Sequence, residues 1–266
     1  MGRKASHHYI PVCYLSGFTN DGSKYGRFIA VTKKGKVYKT NPQDTCKERD
    51  YYTVHGKGDS LYVEEFYACE IEPCIKNALE SINKNERLPS KDNSSFLGLI
   101  LLVATLLCRT KSMQTKNQEY MFELQNIISD MFIDGYGLSK SPTLTSKNNV
   151  VAMELVRLNR LIDSFSEMNY CLHIAKGAGL FITSDSPAVF DNDECELFVP
   201  INKNMAVIGR RNDITYCVMD ATDGFIAKWN TKVAIKSGDL FISASDSILV
   251  LDENEEAVQY QLKMKT

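Results

Sequence analysis

The stretch Phe96-Leu-Gly-Leu-Ile-Leu-Leu-Val-Ala-Thr-Leu-Leu-Cys108 is the most apolar run of the chain. A run of this length is too short to cross a bilayer, and it suits a helix that is buried on all sides. A helix of this kind needs other elements packed around it. The stretch therefore predicts a helix inside a globular core.

Helical periodicity continues on both sides of this run. Ile71, Ile75, Leu79 and Ile82 share one face of a predicted helix, and Pro73 within that helix predicts a kink or a break. The predicted helices cover residues 60–86, 95–110, 117–133 and 148–166. Together they predict a helical insertion over residues 60–166.

Runs rich in β-forming residues lie before and after the helices. Residues 25–31 and 36–39 flank the polar link Thr32-Lys-Lys-Gly35, which is a hairpin signal. Later strands are predicted at residues 170–174, 180–183, 197–199, 205–208, 214–218 and 240–243, with a helix at 222–236. This order predicts an α+β fold. One mostly antiparallel sheet would form from the N- and C-terminal segments, with the four-helix insertion packed on it in a single domain of residues 1–266.

Composition limits the classes of function. The 266 residues include 44% hydrophobic and 24% charged side chains, which are ordinary values for a globular protein with a sizeable core. The formal net charge of −2 gives no global attraction to nucleic acid or to an acidic membrane, although a local basic patch stays open. We therefore expect no membrane partner. The substrate is unknown, with nucleic acid kept open, and the cofactor, metal and oligomeric state are unassigned.

The eight cysteines predict reduced thiols. None forms a CxxC pair, and no Cys/His group has zinc-ligand spacing. Cys69, Cys74 and Cys108 fall inside predicted helices, where we expect them to be buried. The first eight residues lead into an apolar segment without the h-region of a signal peptide. This favours the cytoplasm over a compartment that forms disulfides.

Two of the four histidines stand side by side in His7-His8-Tyr9-Ile10-Pro11. Imidazole suits proton transfer near neutral pH, and it is a common metal ligand. Adjacent residues of an extended segment point to opposite faces. We therefore expect one histidine to face a site while the other packs or fixes the backbone. The competing interpretation is a pair of ordinary histidines near a chain end.

A second polar cluster follows a strand-like run in Phe181-Ile-Thr-Ser-Asp-Ser-Pro187. Thr183, Ser184 and Asp185 come where the strand exits, and a rigid strand with a flexible exit is a frequent place for an active site. Asp185 could orient a histidine, bind a metal or act as a base. The competing interpretation is an Asx or ST turn in which these side chains only satisfy backbone amides.

Arg109 directly follows the apolar helix. A cation at a helix C-terminus is favoured by the helix dipole, by ~0.3–1 kcal/mol, and this structural role competes with substrate binding. Glu70 and Glu72 lie on the first predicted helix. Only one of them can face inward, where it needs a histidine or an arginine as partner. His55 and His173 fall in a predicted loop and a predicted strand and are not assigned to a site.

The two polar clusters resemble a known family. Members of the bacterial domain-of-unknown-function family 4238 begin His-His-Tyr-Val-Pro, followed by an aromatic-leucine pair and a phenylalanine, as in Tyr14-Leu15 and Phe18. Their second motif, Phe-x-Thr-Ser-Asp-Asn-Pro, is similar to Phe181–Pro187. The chain departs from that motif at Ser186. The order and spacing of the motifs match over nearly the whole chain.

The resemblance implies which residues form a site. It favours His7, His8, Asp185 and Arg109 as catalytic residues. It favours Thr183, Ser184, Tyr9 and Asn230 as substrate-binding residues. Genes of this family often lie among mobile or defence-associated loci, which implies a toxin-like or antiviral role.

Three functions remain open, since no Walker loop, Rossmann fingerprint, GxSxG or HExxH motif is present. The leading hypothesis is a hydrolase, with a nuclease as its more specific form. A histidine would be its acid or base, Asp185 would orient the histidine or bind a metal, and Arg109 would stabilise negative charge. The rival is a non-catalytic sensor or binding module in which these residues are structural. The third is an ADP-ribosyl-transfer enzyme, which lacks a clear NAD-binding signature here.

The first two hypotheses share one structural expectation. At least one of His7 and His8 should lie within direct or water-bridged reach of the Thr-Ser-Asp cluster, because a buried histidine needs a partner. Arg109 or an inward-facing glutamate should lie nearby.

Overall fold

Strands at both ends of the chain enclose a helical segment in the computed structural model, which describes residues 6–49, 51, 62–135, 146–191, 194–211 and 217–264. The helices are α1 (Val12–Ser16), α2 (Tyr62–Phe66), α3 (Glu72–Asn85), α4 (Ser94–Cys108), α5 (Lys111–Gly135), α6 (Lys147–Ser166) and α7 (Asp223–Lys236). A 3-10 helix covers Pro42–Asp44, and a π-helical turn covers Tyr67–Ile71. His55 and residues 60–61, 137, 142 and 214–216 lie outside the described ranges.

The strands fall into an N-terminal and a C-terminal group. The N-terminal strands are β1 (Ser6–His8), β2 (Phe28–Thr32), β3 (Val37–Thr40) and β4 (Lys47–Arg49). The C-terminal strands are β5 (Asn169–Ala175), β6 (Thr183–Ser184), β7 (Val189–Asp191), β8 (Glu196–Asn202), β9 (Met205–Arg210), β10 (Cys217–Ala221), β11 (Leu240–Ser243), β12 (Ser247–Leu251) and β13 (Ala257–Gln261).

The strands pair mainly antiparallel, which confirms the α+β fold class. A four-stranded sheet has the order β3-β2-β11-β6, and a five-stranded sheet has the order β10-β5-β9-β8-β7. The pairs β1-β4 and β12-β13 stand apart from these sheets. The β10-β5 pair is parallel.

The expectation of one sheet is wrong. The N-terminal hairpin β2-β3 pairs with C-terminal β11, as the sequence predicted, but β5, β8 and β9 form a different sheet. The hairpin turn itself follows the prediction, because Gly35 adopts a φ of +75°, which a side chain would disfavour. Turn chemistry is local, whereas the choice of sheet depends on contacts between distant segments.

Strand β8 lies between two layers of the core. All seven of its residues are buried. Successive side chains of a strand point to opposite faces, so Leu197 and Val199 pack with the helices, while Phe198 packs with Trp229 of α7. The rings of Phe198 and Trp229 stack at 4.5 Å. The five-stranded sheet is therefore covered on both faces, by helices on one and by α7 on the other.

Helix α4 is the centre of the larger core, as its sequence predicts. Residues 98–106 are all buried, and α3 packs closely against them. A Cβ atom at Gly98 would lie 2.3 Å from the Cys74 carbonyl oxygen, so this contact requires glycine. The predicted break near Pro73 is also present. Pro73 lies in the first turn of α3, and the π-helical turn precedes it, since proline has no N–H to continue a regular helix.

The cysteine prediction is wrong for four positions. Cys171 and Cys217 form a disulfide between β5 and β10, whose register places them opposite each other. Cys69 is exposed and Cys74 is half-buried, whereas Cys108 is buried as expected. Position within a helix does not decide exposure, and a strand register is not visible in the sequence.

The described part of the chain has no single helix that is long and apolar enough to span a membrane. The segments Ser94–Cys108 and Lys111–Ile127 meet the combined requirement of length and hydropathy only as a pair, and they are bent by 61° at their junction.

His173 of β5 predicts a loss of stability in acid. Its ring stacks on Phe225 at 4.2 Å, and burial, with a smaller effect of Arg210, lowers its pKa from 6.5 to about 4. The folded state therefore binds fewer protons than the unfolded state between these values, and stability falls as the pH falls from 6.5 towards 4. We expect a loss of about 2 kcal/mol from pH 7.5 to pH 5 in urea unfolding.

His173→Phe should remove this component and leave the pH dependence that comes from other groups. Parallel unfolding curves for the two proteins at both pH values make the comparison. An identical pH dependence in the variant would refute the assignment to His173.

Candidate functional site

The His-His motif forms β1, which pairs with β4 beside α1. His7 is buried and His8 is half-buried, so the two side chains have different environments, as an extended segment predicts. His8 Nε2 lies 3.1 Å from the carbonyl oxygen of Gln43. Because a carbonyl oxygen can only accept, Nε2 carries the proton, and in the neutral ring Nδ1 has the lone pair. Burial lowers the pKa of His8, although the bond to Gln43 opposes this effect.

Arg109 is held in place by contacts with Glu72, His8 and Tyr67. Its Nη1 donates to Glu72 Oε1 at 3.0 Å, and its Nη2 donates to the backbone carbonyl of His8. Its guanidinium carbon lies 4.0 Å from the ring centroid of Tyr67, in the π-helical turn. The Arg109 side chain is 1% exposed and that of Glu72 is 31% exposed. Arg109 therefore connects the N-terminal motif to α3, and Glu72 is the inward-facing glutamate.

Sequence reasoning missed two acidic residues near Arg109. Glu154 of α6 is buried and accepts a hydrogen bond from the Tyr67 hydroxyl at 3.0 Å. Glu154 shares a helical face with buried Val151 and Leu158, so a charged residue at a core position was the available signal.

Glu64 of α2 is the second missed residue. Burial raises its pKa, Arg109 opposes this effect, and Glu72 adds to it. Its Oε2 atom is buried and makes no hydrogen bond to the described residues. Burial therefore disfavours the charged form of this carboxyl group. No motif in the sequence marks this position.

The Thr-Ser-Asp motif begins in β6, and its first two side chains are engaged by the protein. Thr183 Oγ1 is hydrogen-bonded to the Tyr14 hydroxyl at 2.7 Å, and Ser184 Oγ accepts from the Ser186 amide at 3.1 Å. The ST turn at Ser184 is the competing interpretation given above. Tyr14 belongs to the segment that follows the His-His motif, so the two motifs meet through the Tyr14–Thr183 bond.

Asp185 fixes the loop that connects α7 to β11. The amides of Gly238 and Asp239 donate to its two carboxylate oxygens at 2.7 Å and 2.6 Å. Burial raises the pKa of Asp185, and these amide bonds partly offset the effect. Asp185 does not orient His8, since the His8 ring is bonded to Gln43. Asp185 therefore satisfies backbone amides, as the competing interpretation held, but these amides belong to a distant loop and do not form a local Asx turn.

Tyr9 is the residue of the first motif whose ionisation responds to Asp185. Burial raises the pKa of Tyr9, and the nearby groups of Cys46 and Asp185 add to the effect. Lys111 Nζ lies 5.5 Å from the Tyr9 ring centroid and 3.7 Å from Asp239 Oδ2. Tyr9 therefore also brings the first motif close to Asp185 of the second motif, whereas His8 contacts Gln43 and Arg109.

Asn230 of α7 uses both ends of its amide to bind backbone. Its Oδ1 accepts from the Ile182 amide at 3.0 Å, and its Nδ2 donates to the carbonyls of Leu180 and Leu249 at 2.9 Å and 3.0 Å. Asn230 is buried. It holds α7 to the segment before β6 and to β12.

The acidic, histidine and cysteine side chains do not gather into a metal site in the described ranges, where no group of three of them could hold an ion. The polar network instead divides into two parts. One part surrounds Arg109 and includes His8, Glu64 and Glu72. The other part surrounds Asp185.

The family comparison agrees with the motifs. The family described as "Protein of unknown function (DUF4238)" matches residues 6–250, a range that includes both motifs and the network around Arg109. No curated protein and no solved structure matches the chain. The resemblance inferred from the two motifs is confirmed: the chain belongs to the DUF4238 family.

Proposed function

We propose that the chain is a hydrolase whose acid is Glu64 and whose base is His8, both placed around the Arg109–Glu72 ion pair. The observation that carries the proposal is the pair of opposed pKa shifts at one place. Burial raises the pKa of Glu64 and lowers that of His8, and both groups respond to the charges of Glu72 and Arg109. Burial thus disfavours the charged form of both groups, and an acid and a base whose charged forms are disfavoured suit proton transfer.

The proposed reaction uses the free lone pair of His8. Nε2 is occupied by Gln43, so Nδ1 takes a proton from water as the water oxygen attacks the substrate. Glu64 gives its proton to the leaving group, and water is thereby added across the cleaved bond. Arg109 is buried and donates to Glu72 and to the His8 carbonyl, so it acts as a positioning residue that holds Glu72 and the His8 backbone.

The second motif supplies the framework in this proposal. The polar side-chain atoms of four residues are hydrogen-bonded to backbone or side-chain partners within the protein. These residues are Asp185, Thr183, Ser184 and Asn230. They fix β6, α7 and β11 instead of contacting substrate. His7 is the more buried of the two histidines, and this proposal gives it no step in the reaction.

A nuclease is the specific form of hydrolase that we propose. Phosphodiester cleavage is the kind of chemistry in which an imidazole base and a proton-donating acid act together. The toxin-like or antiviral role implied by the family resemblance would follow from cleavage of cellular or invading nucleic acid.

The rival function is a binding module without catalysis. It is favoured by the engagement of Asp185 and Asn230, which shows how much of the polar network stabilises the fold. Under this reading Arg109 locks β1 onto the helices, and Glu64 has no role in a reaction. The two functions differ in what Glu64 does.

Glu64→Gln should strongly reduce hydrolysis without loss of stability. We expect kcat/KM to fall about 100-fold, the lower range for a lost acid or base. The melting temperature should stay the same or rise, because a neutral amide replaces a carboxyl that burial disfavours in its charged form. Activity is measured on single-stranded oligonucleotides, a nitrophenyl phosphodiester and a nitrophenyl ester.

The matched control is Glu65→Gln on the same helix, whose side chain is exposed, and it should keep full activity. The pH profile of the unmodified chain gives a second readout. Its acid limb reports His8 and should lie below 6.5, while its alkaline limb reports Glu64 and should lie above 4.5. Full activity in Glu64→Gln, or no hydrolysis of any substrate by the unmodified chain, would favour the binding module.

A further inference from the structure

The β2–β3 hairpin and its flanks concentrate positive charge. Residues 22–43 contain six cations and no acidic residue. The cations are Lys24, Arg27, Lys33, Lys34, Lys36 and Lys39. Because the whole chain has a formal net charge of −2, the remaining residues carry −8. The charge of the protein is therefore strongly asymmetric.

The six cations are available to a partner. All of them are exposed. None forms an ion pair with another residue in the described ranges, whereas nearby Asp44 is occupied by Lys47 at 2.9 Å. Exposed cations without acidic partners retain their attraction for phosphate.

The hairpin also presents aromatic rings beside its cations. Tyr25 is 66% exposed, and Lys24 Nζ lies 5.1 Å from its ring centroid. Lys36 Nζ lies 5.3 Å from the ring centroid of Tyr38. Tyr38 is half-buried, whereas the Tyr25 ring is exposed. Cations beside accessible rings suit an unpaired strand, whose phosphates contact the cations and whose bases stack on the rings.

A cavity lies at the open end of the hairpin. Its volume is about 550 Å³, and it is lined by Arg27 and Lys39 together with Ser245 and Asp246. Ile29 pairs with Lys39 across β2 and β3, so Arg27 and Lys39 project from the same face. A cavity of this size accommodates a group as large as a nucleotide.

We propose that residues 22–43 form a binding surface for single-stranded nucleic acid. The strand would run along the edge strand β3, with a nucleotide in the Arg27–Lys39 cavity. The 3-10 helix that follows β3 contains Gln43, which holds the His8 ring, so the surface leads towards the candidate site. This inference goes beyond the proposed hydrolysis and does not depend on it, because binding requires no turnover.

An anionic membrane is the less favoured partner. The apolar side chains of β2 are buried, and Tyr25 is the exposed large hydrophobic side chain in this segment. The hairpin therefore offers little apolar area to insert between lipids, and binding to a bilayer would depend on charge alone.

The test measures binding by fluorescence anisotropy with a labelled 20-nucleotide single-stranded DNA or RNA. We expect salt-dependent binding to the full chain, and tighter binding to the single strand than to a duplex. Lys36→Gln with Lys39→Gln should reduce the slope of log K against log salt by about 1.4, since each phosphate contact on a single strand contributes about 0.7. Tyr25→Ala should weaken binding about fivefold through lost stacking.

The matched control is Lys84→Gln with Lys116→Gln, which removes the same charge from exposed positions on α3 and α5 and should leave the slope unchanged. The same measurement on Glu64→Gln separates this inference from hydrolysis, since that variant should bind normally. No binding, an equal loss in the control, or stronger binding to vesicles of anionic phospholipid than to the oligonucleotide would overturn the proposal.

Discussion

Arg109→Met is expected to lower the free energy of unfolding by about 3 kcal/mol. The substitution leaves the Glu72 carboxylate and the His8 carbonyl without their donor, and it removes the cation from the Tyr67 ring. Breaking a fully buried ion pair costs about 3–5 kcal/mol. We place the effect at the lower end because Glu72 is 31% exposed and can be hydrated. Urea unfolding of the two proteins at pH 7.5 measures the difference.

The control for this prediction is Arg87→Met, since Arg87 is exposed at the end of α3. We expect a change within about 0.5 kcal/mol. Glu72→Met combined with Arg109→Met should cost less than the sum of the two single changes, because the double variant leaves neither charge unpaired. A loss below 1 kcal/mol in Arg109→Met would mean that the ion pair does not hold β1 to the helices.

Local chemistry explains which parts of the fold the sequence predicts. The apolar run of α4, the break at Pro73 and the hairpin at Gly35 each follow from the residues within one segment. The division of the strands into two sheets depends on which distant segments pair, and hydrophobic patterns do not specify this choice. The C-terminal hairpin β12-β13 was overlooked even though residues 248–251 are a β-rich run.

The sequence predicted the candidate site only in part, because the partners of each side chain depend on which distant segments pair. The motifs indicated that the two polar clusters would be neighbours, and the Tyr14–Thr183 bond joins them. The expected partner for an inward glutamate is present as the Arg109–Glu72 pair. The expectation that at least one of His7 and His8 reaches the Thr-Ser-Asp cluster stays a prediction. The His8 ring is bonded to Gln43, and His7 is buried. The residue types of the two motifs indicated which chemistry they could perform, whereas the strand pairing determined their hydrogen-bond partners.

The assignment of polar residues to framework or to chemistry rests on their unused hydrogen-bonding capacity. A side chain whose donors and acceptors are all engaged must break bonds to contact a substrate, and each such bond costs about 1 kcal/mol or more. Both carboxylate oxygens of Asp185 and both ends of the Asn230 amide already have partners within the protein. Glu64 has a buried oxygen without a hydrogen bond to the described residues, which is why we place the chemistry there.

Asn230→Leu is expected to lower the free energy of unfolding by about 3–4 kcal/mol. The control is Asn85→Leu at an exposed position on α3, which should change the free energy of unfolding by less than about 0.5 kcal/mol. The leucine keeps the volume but removes three hydrogen bonds, which leaves the amide of Ile182 and the carbonyls of Leu180 and Leu249 without this partner. Each buried group left in this way costs about 1–3 kcal/mol.

Asn230→Asp tests the same bonds by a different route. The aspartate can still accept from the Ile182 amide, but its second oxygen would face the Leu180 and Leu249 carbonyls, to which Nδ2 now donates. We expect this variant to be at least as unstable as Asn230→Leu at pH 7.5. Near pH 5 its deficit relative to the unmodified chain at the same pH should be smaller, because protonation restores one donor. Urea unfolding at both pH values measures this order. If Asn230→Asp unfolded like the unmodified chain and changed only ligand binding or hydrolysis, Asn230 would be a substrate-binding residue, and the framework role of the second motif would be lost.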